Sequence, residues 1–102
     1  LRRAYDYKVR AENLEEKGAT PPVIRGYYNK AQLEVLVALD KDPNYKEAYD
    51  FYLSNILLLA EKYDTVNAFS YYEEALPYAT NYKQYFPDDP NASYYLVVIL
   101  DG

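Results

Sequence analysis

Shifted by 44 residues, this chain lies on itself. The segment AYDY (4–7) falls on AYDF (48–51), YYNKA (27–31) falls on YYEEA (71–75), and Leu14 falls on Leu58. Ala48 falls in turn on Ala92, with FYL (51–53) against YLV (95–97). Matches that keep their order along the chain point to one local unit made twice and begun a third time. Such a unit cannot bury its apolar face alone and must stack on its neighbours. Asp-Pro-Asn punctuates the chain at 42–44 and again at 89–91. Those two stops are 47 residues apart, not 44, so the second unit is longer by three residues near the end of its last helix.

Each unit reads as two helices. In the first segment Ala4, Tyr7, Ala11 and Leu14 recur at helical spacing. Gly18 suits the left-handed position that closes a helix. Thr20 and the prolines at 21 and 22 suit the start of the next, which runs through 23–40 with Gly26 as a weak point. Proline 43 cannot continue that helix but can open another. Asn44 and Glu47 have the spacing of a capping box, and the helix they open is expected to run to about Lys62. Asp64 or Thr65 is the expected cap of a fourth helix starting near Val66, which Pro77 is expected to kink or interrupt. Asp88 and Asp89 are candidate caps of a fifth, Ala92 to Leu100. Strand-like alternation is weak throughout. The expectation is a single all-α domain over 1–102, with units of about 1–44, 45–91 and a partial 92–102.

At 102 residues with half of them hydrophobic, the chain can form one compact core. No apolar run approaches the roughly 20 residues of a membrane span, and no basic-then-apolar segment opens it. It reads as a soluble, cytoplasmic chain without a membrane partner. Cys, His, Met and Trp are all absent, while Tyr occurs fifteen times. That skew, with a first residue that is not Met, suits either an excised natural fragment or an engineered sequence. Without His or Cys the usual zinc sites and nucleophile–base pairs are excluded. Adjacent Glu73 and Glu74 point in different directions on a helix, so they make no acid–base pair. The run from Asp40 opens like a calcium loop, but Tyr45 stands where glycine is needed and Phe51 where the bidentate glutamate belongs. No glycine-rich phosphate loop is present. Neither enzymatic activity nor a cofactor is expected. Asn91 opens a glycosylation sequon that a helix cap explains equally well.

The net charge of −5 is unevenly spread. Residues 1–30 hold seven Lys/Arg against four Asp/Glu, and residues 31–102 hold four against twelve. An acidic chain without an extended basic stripe is a poor nucleic-acid binder. Its polarity permits head-to-tail attraction, although solvated charge is the plainer reading.

The order YLSNILL, KYD, YYEEAL resembles a tetratricopeptide repeat in elongated form. Leu53 matches that family's first-helix leucine, Tyr63 its turn aromatic, Tyr72 the bulky residue of its second helix, and Ala75 the small partner. Asp-Pro-Asn is the family's usual stop. The units here exceed the usual length of about 34 residues. Ser54 and Val97 stand where the family prefers glycine, and Arg10 falls there in the first unit.

The resemblance implies antiparallel hairpins stacked as a short solenoid, two hairpins plus a final helix, and a protein-binding scaffold. First helices of such arrays line a concave groove for a peptide or a partner's helix. Carried over by position, the groove is Tyr7, Ala11 and Leu14 in the first unit, Phe51, Asn55 and Leu58 in the second, and Tyr94 and Val98 in the third. Asn55 matches the position that hydrogen-bonds a ligand. The family's carboxylate clamp needs further Lys/Arg on this stripe, and none lies beyond the first helix. The alternative is that Phe51, Leu58 and Tyr94 simply pack between hairpins, and packing is also the simpler role for the tyrosines as a set. The last helix, YYLVVIL, is apolar all round, whereas a terminal solenoid helix should carry a polar outer face. Either the array continues beyond Gly102 or another chain covers this helix, and the expectation is a homo-oligomer joined through Tyr95, Leu96, Val98, Ile99 and Leu100. The second function class is a structural repeat whose activity is folding and self-association.

Overall fold

The computed structural model describes all residues, 1–102, and every element is helical. Five α-helices follow in order: α1 (Arg2–Glu16), α2 (Pro21–Lys41), α3 (Lys46–Leu58), α4 (Ala68–Tyr85) and α5 (Pro90–Asp101). A π turn at Leu59–Tyr63 widens the end of α3, and a 3-10 turn at Thr65–Asn67 leads into α4. The expected all-α class is what the chain adopts. Its radius of gyration is 13.3 Å, the value of a compact domain this long.

The helix boundaries follow local chemistry. Gly18 takes φ +80°, a left-handed conformation open to glycine at no steric cost, and α1 ends there. Asp89 caps α5, its carboxylate accepting the Asn91 N–H at 2.8 Å, with Pro90 in the first turn. Other expected caps do not form. Thr20 precedes α2 without a side-chain bond to it. The Asn44–Glu47 box is replaced by two competing bonds. Asp42 Oδ1 accepts the Asn44 N–H at 3.2 Å in an Asx turn, and Glu47 is taken by the Tyr5 hydroxyl at 2.8 Å. Asn67, not Asp64 or Thr65, precedes α4. Asp64 instead ties the turn together, accepting Asn67 Nδ2 at 3.0 Å and the Tyr71 hydroxyl at 2.8 Å. α3 is α-helical to Leu58 and continues as the π turn to Tyr63, close to the expected end at Lys62, with the Asp64 N–H reaching back five residues to the Leu59 carbonyl. Pro77 does not interrupt α4, which runs unbroken from 68 to 85. Pro77 and Glu73 are both exposed, so water can reach the carbonyl that proline leaves without a donor.

α1 packs along α2, α4 along α5, and α3 lies at the centre. Tyr49, Tyr52, Leu53, Asn55 and Ile56 of α3 are among the most deeply buried side chains in the molecule. Fully buried alanines let the helix backbones approach closely. Ala4, Ala48 and Ala92 share this depth, as do Ala31 and Ala75, each set 44 residues apart. Aromatic rings fill the wider gaps: Tyr49 stacks on Tyr82 at 5.3 Å, and Tyr28 on Tyr63 at 5.4 Å. Twelve of the fifteen tyrosines are buried or half-buried and three are exposed, so most of them pack within the fold.

Candidate peptide-binding groove

α3 touches α1 on one side and α5 on the other. On the α1 side, the rings of Tyr5 and Phe51 meet edge to face at 4.8 Å, and Lys8 Nζ lies 5.3 Å from the Phe51 centroid. On the α5 side, Lys46 Nζ bridges Asp50 at 3.3 Å and Asp89 at 3.1 Å. Between these contacts an open hollow of about 370 Å³ crosses all three helices. Tyr5 and Lys8 form one wall, Glu47, Asp50, Phe51 and Ser54 the floor, and Asn91 and Tyr95 the other wall.

Asp50 organises the α5 end of this hollow. The Tyr82 hydroxyl donates to Asp50 Oδ1 at 2.6 Å and lies 3.5 Å from Asp89 Oδ2. Burial, then this carboxylate partner, pushes the Tyr82 phenol well above its usual value. Tyr5 is shifted the same way by burial and then by its bond to Glu47, and Tyr95 by burial and then by the charge of Asp50. Lys46 is raised by its hydrogen bonds to Asp89 and Asp50. The result is a clasp in which α3, α4 and the start of α5 share two carboxylates, one ammonium and one phenol. An aspartate within the apolar run around Tyr52 was the one signal in the sequence that could have revealed it.

The Asn91 N–H first, and Lys46 and Tyr82 after it, hold the Asp89 carboxyl below the usual carboxylate range. A folded-state value below the unfolded one contributes stability that is complete above the unfolded pKa and is lost as pH falls through the folded value. Melting curves taken from about pH 5 to pH 2 should therefore fall more steeply for the wild type than for Asp89→Asn, whose amide keeps a capping oxygen but cannot titrate. Parallel curves would show that Asp89 contributes nothing to acid sensitivity.

The residues expected to form the groove do not share one surface. Asn55 and Ala11 are fully buried, and Phe51 shows only an edge. The Asn55 Nδ2 donates to Gln32 Oε1 at 3.2 Å, so this side chain faces α2 and is not offered to a ligand. Leu14 and Leu58 are half-buried around Ala11, Ile24 and Tyr28, and Tyr7 lies against Tyr27 with centroids 6.4 Å apart. Val98 is half-buried, and Tyr94 alone is exposed, over about 56% of its surface. The reason is that α3 has neighbours on both flanks. The sector left open is narrower and lies closer to its start, at Glu47, Asp50 and Ser54. The set expected to mediate self-association also divides. Ile99 is buried against α4, Tyr95 approaches Tyr82, and Leu96 and Val98 are half-buried. The apolar stripe that α5 leaves uncovered is Tyr94, Val97 and Leu100, each more than half exposed.

No three His, Cys, Asp or Glu side chains come together as metal ligands, and no helix is long and apolar enough to cross a membrane. Neither a protein-family model, nor a curated protein, nor a solved structure matches this chain.

Proposed function

We propose that this chain is a non-enzymatic protein-interaction module of tetratricopeptide-like helical hairpins, holding a short peptide or a partner's helix in the hollow across α1, α3 and α5. The observation that carries this reading is the lining of the hollow. The helices that open the successive units all contribute to it, with aromatic side chains for anchoring and Lys8, Ser54 and Asn91 for polar contacts. Open clefts with apolar anchors and a few convergent polar groups suit extended or helical segments. A second reading, self-association, is favoured by the exposed Tyr94, Val97 and Leu100 of α5, the last of which shares a hollow with the exposed Phe69 of α4.

One experiment separates the two. Peptides selected from a random display library are titrated into isotope-labelled protein, and the molar mass is measured on the same sample at roughly tens of micromolar. Binding in the hollow perturbs Lys8, Ser54 and Asn91 amides and weakens about tenfold or more in Ser54→Arg, whose side chain fills the floor. Binders that ignore Ser54→Arg, or none from the library, overturn the groove. A dimeric mass with perturbations confined to Tyr94, Val97 and Leu100 establishes self-association instead.

A further inference from the structure

The far side of α1 holds a different surface. Arg3, Arg10 and Lys17 stand seven residues apart, so they fall in one row along the helix, about 21 Å from first to last at 1.5 Å per residue. Two open hollows run along this row and share Arg10. The first, of about 180 Å³, is lined by Arg3, Asp6, Tyr7 and Arg10. The second, of about 240 Å³, is lined by Arg10, Asn13, Leu14, Lys17 and Tyr27. Together they form a trough whose inner wall is aromatic. Lys30 of α2 reaches over that wall, its Nζ lying 5.9 Å from the Tyr7 centroid and 5.1 Å from that of Tyr27.

The cations of this trough are largely uncommitted. Arg3 pairs with Glu34 at 3.8 Å, but Arg10, Lys17 and Lys30 enter none of the five ion pairs in the molecule, and all three are exposed. Asp6 is the one carboxylate in the trough lining. Elsewhere the chain is strongly acidic: residues 31–102 hold twelve Asp/Glu against four Lys/Arg. Cations without carboxylate partners beside tyrosine rings, on an otherwise acidic protein, complement a ligand that carries both carboxylates and apolar or aromatic groups.

We infer that the α1 trough binds an acidic peptide segment, whose carboxylates meet Arg10, Lys17 and Lys30 while an apolar side chain rests on Tyr7 and Tyr27. At about 3.3 Å per residue an extended segment of roughly seven residues spans the row. A peptide fits better than a nucleic acid because the cations form one short row on α1 with only Lys30 added from α2, broken by Asp6 and followed by a negatively charged body that repels a continuous phosphate backbone. This surface goes beyond the groove across α1, α3 and α5. Helical geometry sets Arg10 and Lys17 on the opposite side of α1 from Tyr5 and Lys8, so the two sites fail or succeed separately.

The test is fluorescence anisotropy with a fluorescein-labelled octapeptide of six glutamates and two phenylalanines. Its glutamine analogue and a short single-stranded oligonucleotide serve as competing probes. The acidic peptide is expected to bind at low salt, to weaken steadily as salt rises, and to lose about tenfold or more in affinity in the double variant Arg10→Glu, Lys17→Glu. Tyr27→Ala should weaken it as well, through loss of the ring contact. Lys8→Glu and Ser54→Arg, which change the other groove, should alter it far less than the double variant does. Circular dichroism checks that each variant keeps its helices. Equal affinity for the glutamine analogue, an unchanged affinity in the double variant, tighter binding of the oligonucleotide, or equal loss in Lys8→Glu each overturns the proposal.

Discussion

Tyr82→Ala should lower the folding stability by about 4 kcal/mol, the range for removing a large buried aromatic ring. Tyr82 is fully buried between α3 and α5, stacked on Tyr49 at 5.3 Å and edge-on to Phe86 at 5.8 Å. Alanine removes the ring that both helices pack against, and it also deprives Asp50 of its closest donor, at 2.6 Å. Domains of this size have about 5–15 kcal/mol in total, so the variant should keep only part of its stability. A fall in Tm of about 15–30 °C is the corresponding thermal signature. Tyr82→Phe keeps the ring and removes only the hydroxyl. A hydrogen bond to a charged acceptor accounts for about 1.5–3 kcal/mol, so this variant should lie about midway. Urea titration of the pair separates packing from the clasp. A loss below about 1 kcal/mol in the alanine variant would contradict the central position of this ring.

The second large effect concerns Asn55. Its Nδ2 donates to Gln32 Oε1 at 3.2 Å, and Gln32 Nε2 donates to the Tyr52 carbonyl at 2.9 Å. Both side chains are buried, and Asn55 Oδ1 has no partner within the protein. Asn55→Ala leaves Gln32 Oε1 without its donor and opens a small cavity, for a loss of about 2–3 kcal/mol. Replacing both residues by apolar ones of similar size, Asn55→Leu with Gln32→Met, removes the polar groups together. That double variant should be nearly as stable as the wild type, or more so, because no buried amide is left unpaired. The Tyr52 carbonyl that loses Gln32 lies within α3, where the helix supplies its own donor. The comparison is a double-mutant cycle read by chemical denaturation, and simple additivity of the two single losses would remove the pair as an energetic unit. If peptide binding in the neighbouring hollow survives in the double variant, Asn55 has a packing role and no direct ligand contact.

Much of the local architecture was legible in the residues. Gly18 and Asp89 mark helix ends because one tolerates a left-handed backbone and the other offers an oxygen to free N–H groups. The alanines at 4, 48 and 92 recur because close helix contacts demand a small side chain at the same point. Glu47 shows where local rules lose. A capping bond at its own helix start competes with the Tyr5 hydroxyl, which arrives from 42 residues away in the chain. Asp64 behaves similarly: it stands before the 3-10 turn that leads into α4, but its carboxylate accepts from Asn67 Nδ2 and Tyr71 and faces Arg25 of α2 at 3.8 Å instead of capping an N–H.

The candidate site marks the boundary between the two kinds of information. Apolar spacing on α3 identified a helix with a wide hydrophobic face, and it did so from the chain alone. The sector of that face left to solvent depended on how α1, α2, α4 and α5 crossed it. Four neighbours turned Asn55 inward, reduced Phe51 to an edge, and left Glu47, Asp50 and Ser54 to line the hollow. On α5, with α4 along one side, the same apolar spacing left Tyr94, Val97 and Leu100 uncovered. Helical periodicity places side chains around an axis through short-range geometry. Which of them meet water is set by long-range packing, which no run of neighbouring residues encodes.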